Sequence, residues 1–376
     1  MALSSDARIP GNGAIIEQLT RIWESILGID SIQPDQDYFD LGGDSSLAVQ
    51  MFARIEKLFQ VKLPLATLYE ASTIAGLARI IGGETASSGW SPLVSIQPAG
   101  SRPPFFCFHG AGGNVLNYQK LSEHMGPDQP FYGLQSQGLD GVSPPLTSIQ
   151  EMAALYITKI RTVQPYGPYF LGGYCMGGTI AYEAAQQLTS AGETVALLAL
   201  LDTMNWHKVP LTFRSRSSHA CQQVLFHAAS LLDLSFADKA RFLKDKVEAL
   251  RHRIPVWRGM LASAFAKRGS AAPPSTSMIL GRIWQTNDQA SWRYIPQPYP
   301  GTVTDIRPAR QYRVFSKPDL KWDQLAQGGQ HVIVLPVYPA SMLVEPFVAQ
   351  LARSLRACMD EAISGSQHQK AMAQSR

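Results

Sequence analysis

The spacing of apolar residues changes near residue 90, and this change constrains the fold of the 376-residue chain more than any other feature. Before it, apolar side chains recur every three or four residues, which is the spacing of one helix face. The first such stripe consists of Ile15, Leu19, Ile22 and Ile26, and the next of Leu47, Met51 and Ile55. After it, short apolar runs alternate with helical stretches. The chain is therefore predicted to hold two units of different fold class.

The first unit is predicted to be an all-α four-helix bundle over residues 12–83. After the two stripes, residues 64–81 have room for one short and one longer helix. The segment that follows, residues 84–91, is rich in small and polar residues, a composition typical of a flexible linker.

The second unit, residues 92–358, is predicted to be an α/β domain with a mostly parallel sheet and helices on both faces. Its predicted strands are residues 104–108, 169–172, 195–201 and 332–335. Residues 205–299 interrupt the alternation and are rich in helix-forming residues, so they are predicted to form an inserted helical lid. The polar residues 359–376 are predicted to be a disordered tail.

The composition argues against several classes of function. The formal net charge of +4 is small, and no cluster of Lys and Arg interleaved with aromatic residues indicates nucleic-acid binding. No apolar run is long enough to span a membrane, and residues 1–13 do not resemble a secretory signal. The four cysteines are scattered, a pattern expected in a reducing cytoplasm and not in a disulfide framework or a metal site. They are Cys107, Cys175, Cys221 and Cys358.

The run DYFDLGGDSSL at residues 37–47 predicts an attachment site. Gly42 and Gly43 permit a tight turn that leaves Ser45 exposed at the start of a helix. Asp and Ser are also ordinary N-cap residues, so the tetrapeptide Gly-Gly-Asp-Ser alone is explained by capping. The whole run, in a helical unit of this length, resembles the motif of acyl and peptidyl carrier proteins over residues 14–82.

This resemblance implies that Ser45 carries a 4′-phosphopantetheine arm, with Ser46 as the less favoured neighbour. Free N–H groups and the helix dipole at the start of the helix would favour the phosphodiester. The resemblance also implies three kinds of partner. A phosphopantetheinyl transferase modifies the carrier, an adenylating or acyl-loading enzyme charges it, and other synthase modules exchange chains with it.

The sequence GYCMG at residues 173–177 fits the nucleophile-elbow pattern, with Cys175 in place of serine. It follows a predicted strand and opens a predicted helix, where Met176 can offer its backbone N–H to an oxyanion. The sequence HGAGG at residues 109–113 follows another strand, and Ala111 would supply a second N–H there. A lone Cys in an apolar run is usually a small buried side chain. Combined with these loops, however, Cys175 is predicted to be the nucleophile.

Together with Asp202, 27 residues beyond Cys175, these motifs resemble the thioesterase domains that release chains from nonribosomal peptide and polyketide synthases. The resemblance extends over about residues 92–357. It implies the α/β-hydrolase fold, Asp202 as the acid of the catalytic triad, and a role in secondary metabolism.

The same family has a catalytic histidine near its C-terminus, but the matching position in this chain is Pro339, which cannot accept a proton. His331, eight residues earlier, would lie roughly 26 Å away along an extended strand. His109, beside the oxyanion loop, and His207, at the start of the lid, stay open as candidate bases because sequence does not give side-chain orientation.

A thiol reduces the need for a base. Its reference pKa is about 8.5, and a helix N-terminus can lower this value, so some thiolate is expected without histidine.

These features of the sequence are compatible with three functions. The first is release or transfer of an acyl group from Ser45 through Cys175 to an acceptor. The second is an inactive binding module that presents the acylated carrier to a partner enzyme, and the third is a hydrolytic editing thioesterase with a relocated histidine.

Overall fold

The structure is a computed structural model that describes residues 11–85, 90–205, 276–309, 322–337 and 341–374. Most of the predicted lid, with His207, lies outside the described residues, and so does Pro339. The described residues form a helical unit followed by an α/β unit, which confirms the two predicted fold classes.

The helical unit has four helices around one apolar core, as predicted. They are α1 (Asn12–Leu27), α2 (Ser45–Phe59), α3 (Thr67–Glu70) and α4 (Ile74–Ile81). The stripe residues Ile15, Leu19 and Ile55 are fully buried. At the centre, the rings of Trp23 and Tyr38 meet edge to face, with their centroids 5.2 Å apart. Apolar spacing therefore determines the fold of this unit.

The α/β unit is built on a seven-stranded sheet with the order β1-β3-β2-β4-β5-β6-β7. The strands are β1 (Leu93–Gln97), β2 (Phe105–Phe108), β3 (Phe131–Leu134), β4 (Tyr169–Tyr174), β5 (Val195–Leu201), β6 (Val303–Pro308) and β7 (Gln330–Leu335). Strand β1 is antiparallel to β3, and the other neighbouring pairs are parallel. The central strands are apolar throughout because both of their faces are covered.

Helices cover both faces of this sheet. They are α5 (Gln119–Met125), α6 (Ile149–Val163), α7 (Met176–Ser190), α8 (Thr276–Arg293) and α9 (Val348–Gln374). One apolar core joins the sheet to α6, α7 and the end of α8, and a second joins it to α5 and α9. This arrangement is the α/β-hydrolase fold that the resemblance implied. No described helix is both long and apolar enough to cross a membrane.

The C-terminal segment differs from its prediction. Residues 359–374, predicted to be disordered, continue α9. Met359 is fully buried, and Ala362 and Ile363 pack partly against the second core, so the apolar face of the helix extends past residue 358. The polar residues between them are exposed. Because they interrupt the apolar residues in the sequence, the apolar face of this helix was not recognised there.

The helical unit packs against the α/β unit through its α2–α3 side. The Tyr69 hydroxyl donates to the Val115 carbonyl oxygen at 3.2 Å, and the Thr276 hydroxyl donates to Glu56 at 2.5 Å. Leu280 of α8 joins the core of the helical unit. The first half of α8 therefore contacts the helical unit, while its second half packs against α7.

Candidate active site

Cys175 occupies a sharp turn between β4 and α7, as the elbow pattern predicts. Its φ of 56° and ψ of −118° are unfavourable for a residue with a side chain. Two glycines make the turn possible. A Cβ on Gly173 would lie 2.2 Å from the Gly177 carbonyl carbon, and one on Gly177 would lie 2.1 Å from the Phe108 carbonyl oxygen. Larger residues at either position would push the helix away from the strands.

Hydrogen bonds fix both sides of this turn. The Cys175 N–H donates to the Leu201 carbonyl oxygen at 2.9 Å. The buried hydroxyl of Tyr118 accepts from the Tyr174 N–H at 3.2 Å and donates to the Phe108 carbonyl oxygen at 2.6 Å. Tyr118 therefore connects the end of β4, which leads to Cys175, with the end of β2, which leads to the predicted oxyanion loop.

The oxyanion loop, residues 109–113, forms a tight turn closed by the Gly113 N–H, which donates to the Gly110 carbonyl oxygen at 2.9 Å. Asn287 of α8 donates its Nδ2 to the Ala111 carbonyl oxygen in this loop at 3.0 Å. At the start of α7, the Met176 N–H hydrogen-bonds to the Cys175 sulfur. Ala111 and Met176, the two predicted oxyanion donors, therefore belong to ordered turns beside Cys175, the predicted nucleophile.

The Cys175 thiol is protonated at neutral pH, which differs from the expectation based on the helix N-terminus. Burial, followed by the negative charge of Asp202, raises the pKa of Cys175 to about 12. Asp288 raises this pKa further, and only the Met176 N–H opposes the shift. Although the residue keeps part of its surface exposed, the loss of solvation outweighs the effect of the helix end.

Asp202 lies directly after β5, at the position that the resemblance gives to the triad acid. Its φ is 46°, and its N–H donates to the Ile306 carbonyl oxygen at 2.8 Å. A second carboxylate lies nearby, Asp305 on β6, and it was not predicted from the sequence. Burial raises the pKa of Asp305 to about 6, and the charge of Asp202 contributes to the rise. The strand VTDIRP also contains Thr304 and Arg307, so no clear signal in the sequence pointed to this carboxylate.

His109 does not have a free nitrogen to act as the missing base. Its Nδ1 lies 2.7 Å from the Gly110 carbonyl oxygen, which can only accept, so Nδ1 carries the proton. Its Nε2 lies 2.7 Å from the Tyr156 hydroxyl and accepts from it. Burial lowers the pKa of His109 to about 4. The ring is thus held neutral in a structural role.

His331, which was set aside in the sequence because of its distance from position 339, also lies far from Cys175. It pairs with Thr304 on β6, and the strand register places it level with Gly172, three residues before Cys175. It lies three strands from β4 in the sheet order, which corresponds to roughly 14 Å across the sheet. The exposed side chain of His331 therefore cannot reach Cys175.

Three residues of α8 at the site were not predicted: Trp284, Asn287 and Asp288. The Trp284 Nε1 donates to an Asp288 carboxylate oxygen at 3.1 Å. The Trp284 ring lies 3.5 Å from where a Cβ on Gly112 would be. These residues belong to no recognisable motif, and only the folded chain brings their helix to residues 109–113.

The start of α2 suits an attachment site. Ser45 is the first residue of the helix and is partly exposed. Gly43 is required because a Cβ there would lie 2.4 Å from the Tyr38 ring. The expectation of free amides is wrong for two residues, because Asp44 accepts from the Ser46 and Leu47 N–H groups at 2.8 Å. A phosphodiester on Ser45 would therefore be stabilised by the helix dipole and by solvent.

The described residues contain no group of side chains that could hold a metal ion.

Comparisons with known proteins match both units. Residues 17–81 match the family model described as a phosphopantetheine attachment site, and residues 103–279 match the thioesterase domain. Malpinin synthetase of Mortierella alpina is 45% identical over 51% of the chain, but the chain spans only 2% of that synthetase.

Solved structures agree with these matches. The four-domain nonribosomal peptide synthetase AB3403 aligns with 94% of the chain at 27% identity and a TM-score of 0.55, and the chain covers 27% of that structure. The NocB thioesterase domain aligns with 72% of the chain at 20% identity and a TM-score of 0.52, and the chain covers all of it.

Proposed function

Because the chain joins a phosphopantetheine carrier domain to a thioesterase domain, the architecture found in nonribosomal peptide and polyketide synthases, we propose that it moves an acyl or peptidyl group from Ser45 to Cys175 and then to an acceptor. The observation that carries this proposal is the intact elbow. Cys175 lies on a strained turn that would cost about 1–3 kcal/mol, beside two ordered loops with backbone N–H donors.

The phosphopantetheine arm, when bound to Ser45, would supply the thioester. Cys175 attacks the thioester carbonyl carbon, and the Ala111 and Met176 N–H groups stabilise the negative oxygen. The new C–S bond to Cys175 forms as the carbon–sulfur bond to the arm breaks, and the Cys175 proton passes to the departing sulfur. The reaction exchanges one thioester for another, so it needs no net proton acceptor.

Water is a poor acceptor in this site. Its attack on acyl-Cys175 requires a base, but both nitrogens of His109 are hydrogen-bonded, and the sequence places Pro339 where the family has histidine. An amine or a thiol needs less help because it is more nucleophilic than water. We therefore propose transfer to such an acceptor in preference to hydrolysis or to editing of misloaded chains.

The carrier domain also indicates partners. We propose that a phosphopantetheinyl transferase modifies Ser45, that an adenylating or acyl-loading enzyme charges it, and that other synthase modules receive the product. The described cysteines Cys107, Cys175 and Cys358 are free thiols, which supports action in a reducing compartment such as the cytoplasm.

A test of this function is single-turnover release. The carrier is loaded with an acyl group, an amine or thiol acceptor is added, and the acyl mass on the intact protein is followed with time. We expect Cys175→Ala to slow the loss by at least about a hundredfold. An unchanged rate in this variant contradicts the proposal.

One observation favours a second function. A Cys175 pKa of about 12 leaves almost no thiolate in the free protein, so an inactive domain that holds the acylated carrier for a partner is the alternative. If this alternative holds, the Cys175→Ala variant delivers the acyl group to the partner enzyme at the wild-type rate.

A further inference from the structure

The helical unit, which is the carrier domain, anchors the beginning of α8. In the first turn of this helix, the Thr276 hydroxyl donates to Glu56 of α2 at 2.5 Å. In the second turn, Leu280 is buried in the apolar core of the carrier, and Leu63 and Leu65 of the carrier line a small cavity beside it. Release of the carrier would expose Leu280 to water. The position of α8 therefore depends on whether the carrier is docked.

The same helix supports the oxyanion loop. Ile283 packs directly on this loop, because a Cβ on Gly113 would lie 2.5 Å from the Ile283 Cγ2. One turn further on, the buried side chain of Asn287 donates its Nδ2 to the Ala111 carbonyl oxygen at 3.0 Å. Asn287 lies about 10 Å along the helix axis from the anchored second turn. A displacement of the anchored turns would therefore reach the loop through a short, continuous piece of helix.

A second contact of the carrier lies directly after the oxyanion loop. The Tyr69 hydroxyl, near the end of α3, donates to the Val115 carbonyl oxygen at 3.2 Å. The Tyr69 ring stacks on Phe39 of the carrier, with the ring centroids 5.7 Å apart. Leu116, which follows Val115, is buried in the same core as Leu280. The carrier therefore contacts two supports of the oxyanion loop, α8 and the segment that follows the loop.

We propose that the docked carrier domain activates the α/β unit, because its contacts with α8, Val115 and Leu116 hold the Ala111 N–H where the oxyanion forms. This inference rests on the proposed function, in which Ala111 stabilises that oxyanion, and it gives the carrier a second role besides delivery of the acyl group. Interfaces between domains of one chain resemble transient protein–protein interfaces, so docking is expected to be reversible. When the carrier leaves to be loaded, the loop loses both supports, and Cys175 reacts more slowly with other thioesters.

A substrate that is not attached to the carrier separates activation from delivery. The full chain with an unmodified Ser45 reacts with S-acetylpantetheine in solution, and peptide mass mapping follows the acetyl group on Cys175. The double variant Glu56→Ala with Tyr69→Phe removes both carrier-side hydrogen bonds and changes no residue of the α/β unit. We expect it to lower the maximal acetylation rate about tenfold, since loss of a whole oxyanion donor costs about a hundredfold or more. The apparent KM should stay within about twofold, because the donor acts in the transition state.

Two further variants make this result interpretable. Glu17→Ala removes an exposed carboxylate of α1, which pairs with Arg21 of the same helix, and it should leave both constants unchanged. Leu280→Ser removes the apolar anchor of α8 and should lower the maximal rate at least as much as the double variant does. A carrier that only delivers the acyl group predicts wild-type rates throughout. Wild-type rates in both the double variant and Leu280→Ser overturn the proposal.

Amide hydrogen exchange keeps a failure of this inference apart from a failure of the proposed function, because it needs no reaction at Cys175. In the double variant, we expect exchange to become about threefold to tenfold faster in residues 110–116 and 279–287, and to stay unchanged in β5. If wild-type Cys175 is never acetylated, the proposed function fails, and exchange alone decides whether the carrier holds the loop. If wild-type Cys175 is acetylated but the loop exchanges equally in wild type, the double variant and Leu280→Ser, the proposed function stands and this inference fails.

Discussion

The Tyr118 hydroxyl donates to the Phe108 carbonyl oxygen at 2.6 Å, and this bond connects the two halves of the candidate site. The same hydroxyl accepts from the Tyr174 N–H, one residue before Cys175. Because Tyr118 is fully buried, no water can replace either bond without rearrangement. Its position after the oxyanion loop lets one side chain set the distance between that loop and Cys175.

Removal of the Tyr118 hydroxyl should lower the stability of the folded protein. We predict that Tyr118→Phe lowers the free energy of unfolding by about 1–3 kcal/mol, because it leaves a buried carbonyl and a buried N–H without partners. Denaturant unfolding measures the loss. Tyr166→Phe is the matched control, because Tyr166 is 77% exposed, and it should change stability by less than about 0.5 kcal/mol. Equal stability of the two variants would show that the bridge is not needed.

Gly177, two residues after Cys175, should tolerate no side chain. A Cβ at Gly177 would overlap the Phe108 carbonyl oxygen, so we predict that Gly177→Ala destabilises the protein by about 3 kcal/mol or more. Gly365→Ala is the control, since nothing lies within 4 Å of a Cβ at this exposed position in α9. Thermal unfolding should show a lower Tm for the first variant and an unchanged or higher Tm for the second.

His109 should make stability depend on pH in the acidic range. Its folded pKa of about 4 is below the ordinary value of 6.5, so the unfolded chain binds a proton that the folded chain does not between these values. The contribution of His109 to the free energy of unfolding is therefore complete above pH 6.5 and decreases as the pH drops towards 4. The difference between pH 7 and pH 5 should be about 2 kcal/mol from this residue.

His109→Gln tests this dependence, since glutamine does not titrate. The free energy of unfolding is measured for both proteins at pH 7 and at pH 5, and the variant should lose less on acidification than wild type. A wild-type loss equal to that of the variant would mean that His109 titrates normally. Loss of acyl transfer in a stable His109→Gln protein would instead support a catalytic base.

The carboxylates beside Cys175 should control its reactivity. The alkylation rate of wild-type Cys175 by iodoacetamide should rise about tenfold per pH unit up to pH 10, with no plateau, because its pKa is about 12. Asp202→Asn removes the larger of the two charge effects and should raise the rate at pH 8 by about threefold to tenfold. A plateau near pH 8 in wild type would show that the thiol is activated without substrate.

The parts of the fold that local patterns determine were predictable from the sequence. The sequence of residues 173–177 predicted the turn at Cys175, because only glycine fits sterically at the two flanking positions. Apolar stripes such as that of Ile15 and Leu19 predicted the helical bundle. The parts that depend on distant contacts were not. The approach of Asn287 to Ala111 joins residues 176 positions apart, and no local pattern encodes it.

The pKa of Cys175 could not be predicted from the sequence, because it also depends on residues that are distant in the chain. The helix N-terminus favours a low thiol pKa, but burial and two carboxylates from other elements reverse the outcome at Cys175. One of them, Asp288, lies 113 positions away in the chain. By contrast, the Asp44 carboxylate accepts from the Ser46 and Leu47 N–H groups only two and three residues away, a local contact that the N-cap preference of aspartate indicates.

The central claim is that Cys175 becomes acylated by the arm on Ser45. It is tested most directly by peptide mass mapping of the holo protein, quenched in acid milliseconds to seconds after its carrier is loaded and before any acceptor is added. The account predicts an acyl mass that appears on the Cys175 peptide as it leaves the Ser45 peptide, and that is absent from the Cys175 peptide of a Ser45→Ala protein. An acyl group that stays on the Ser45 peptide, with an unmodified Cys175 at all times, would contradict the account.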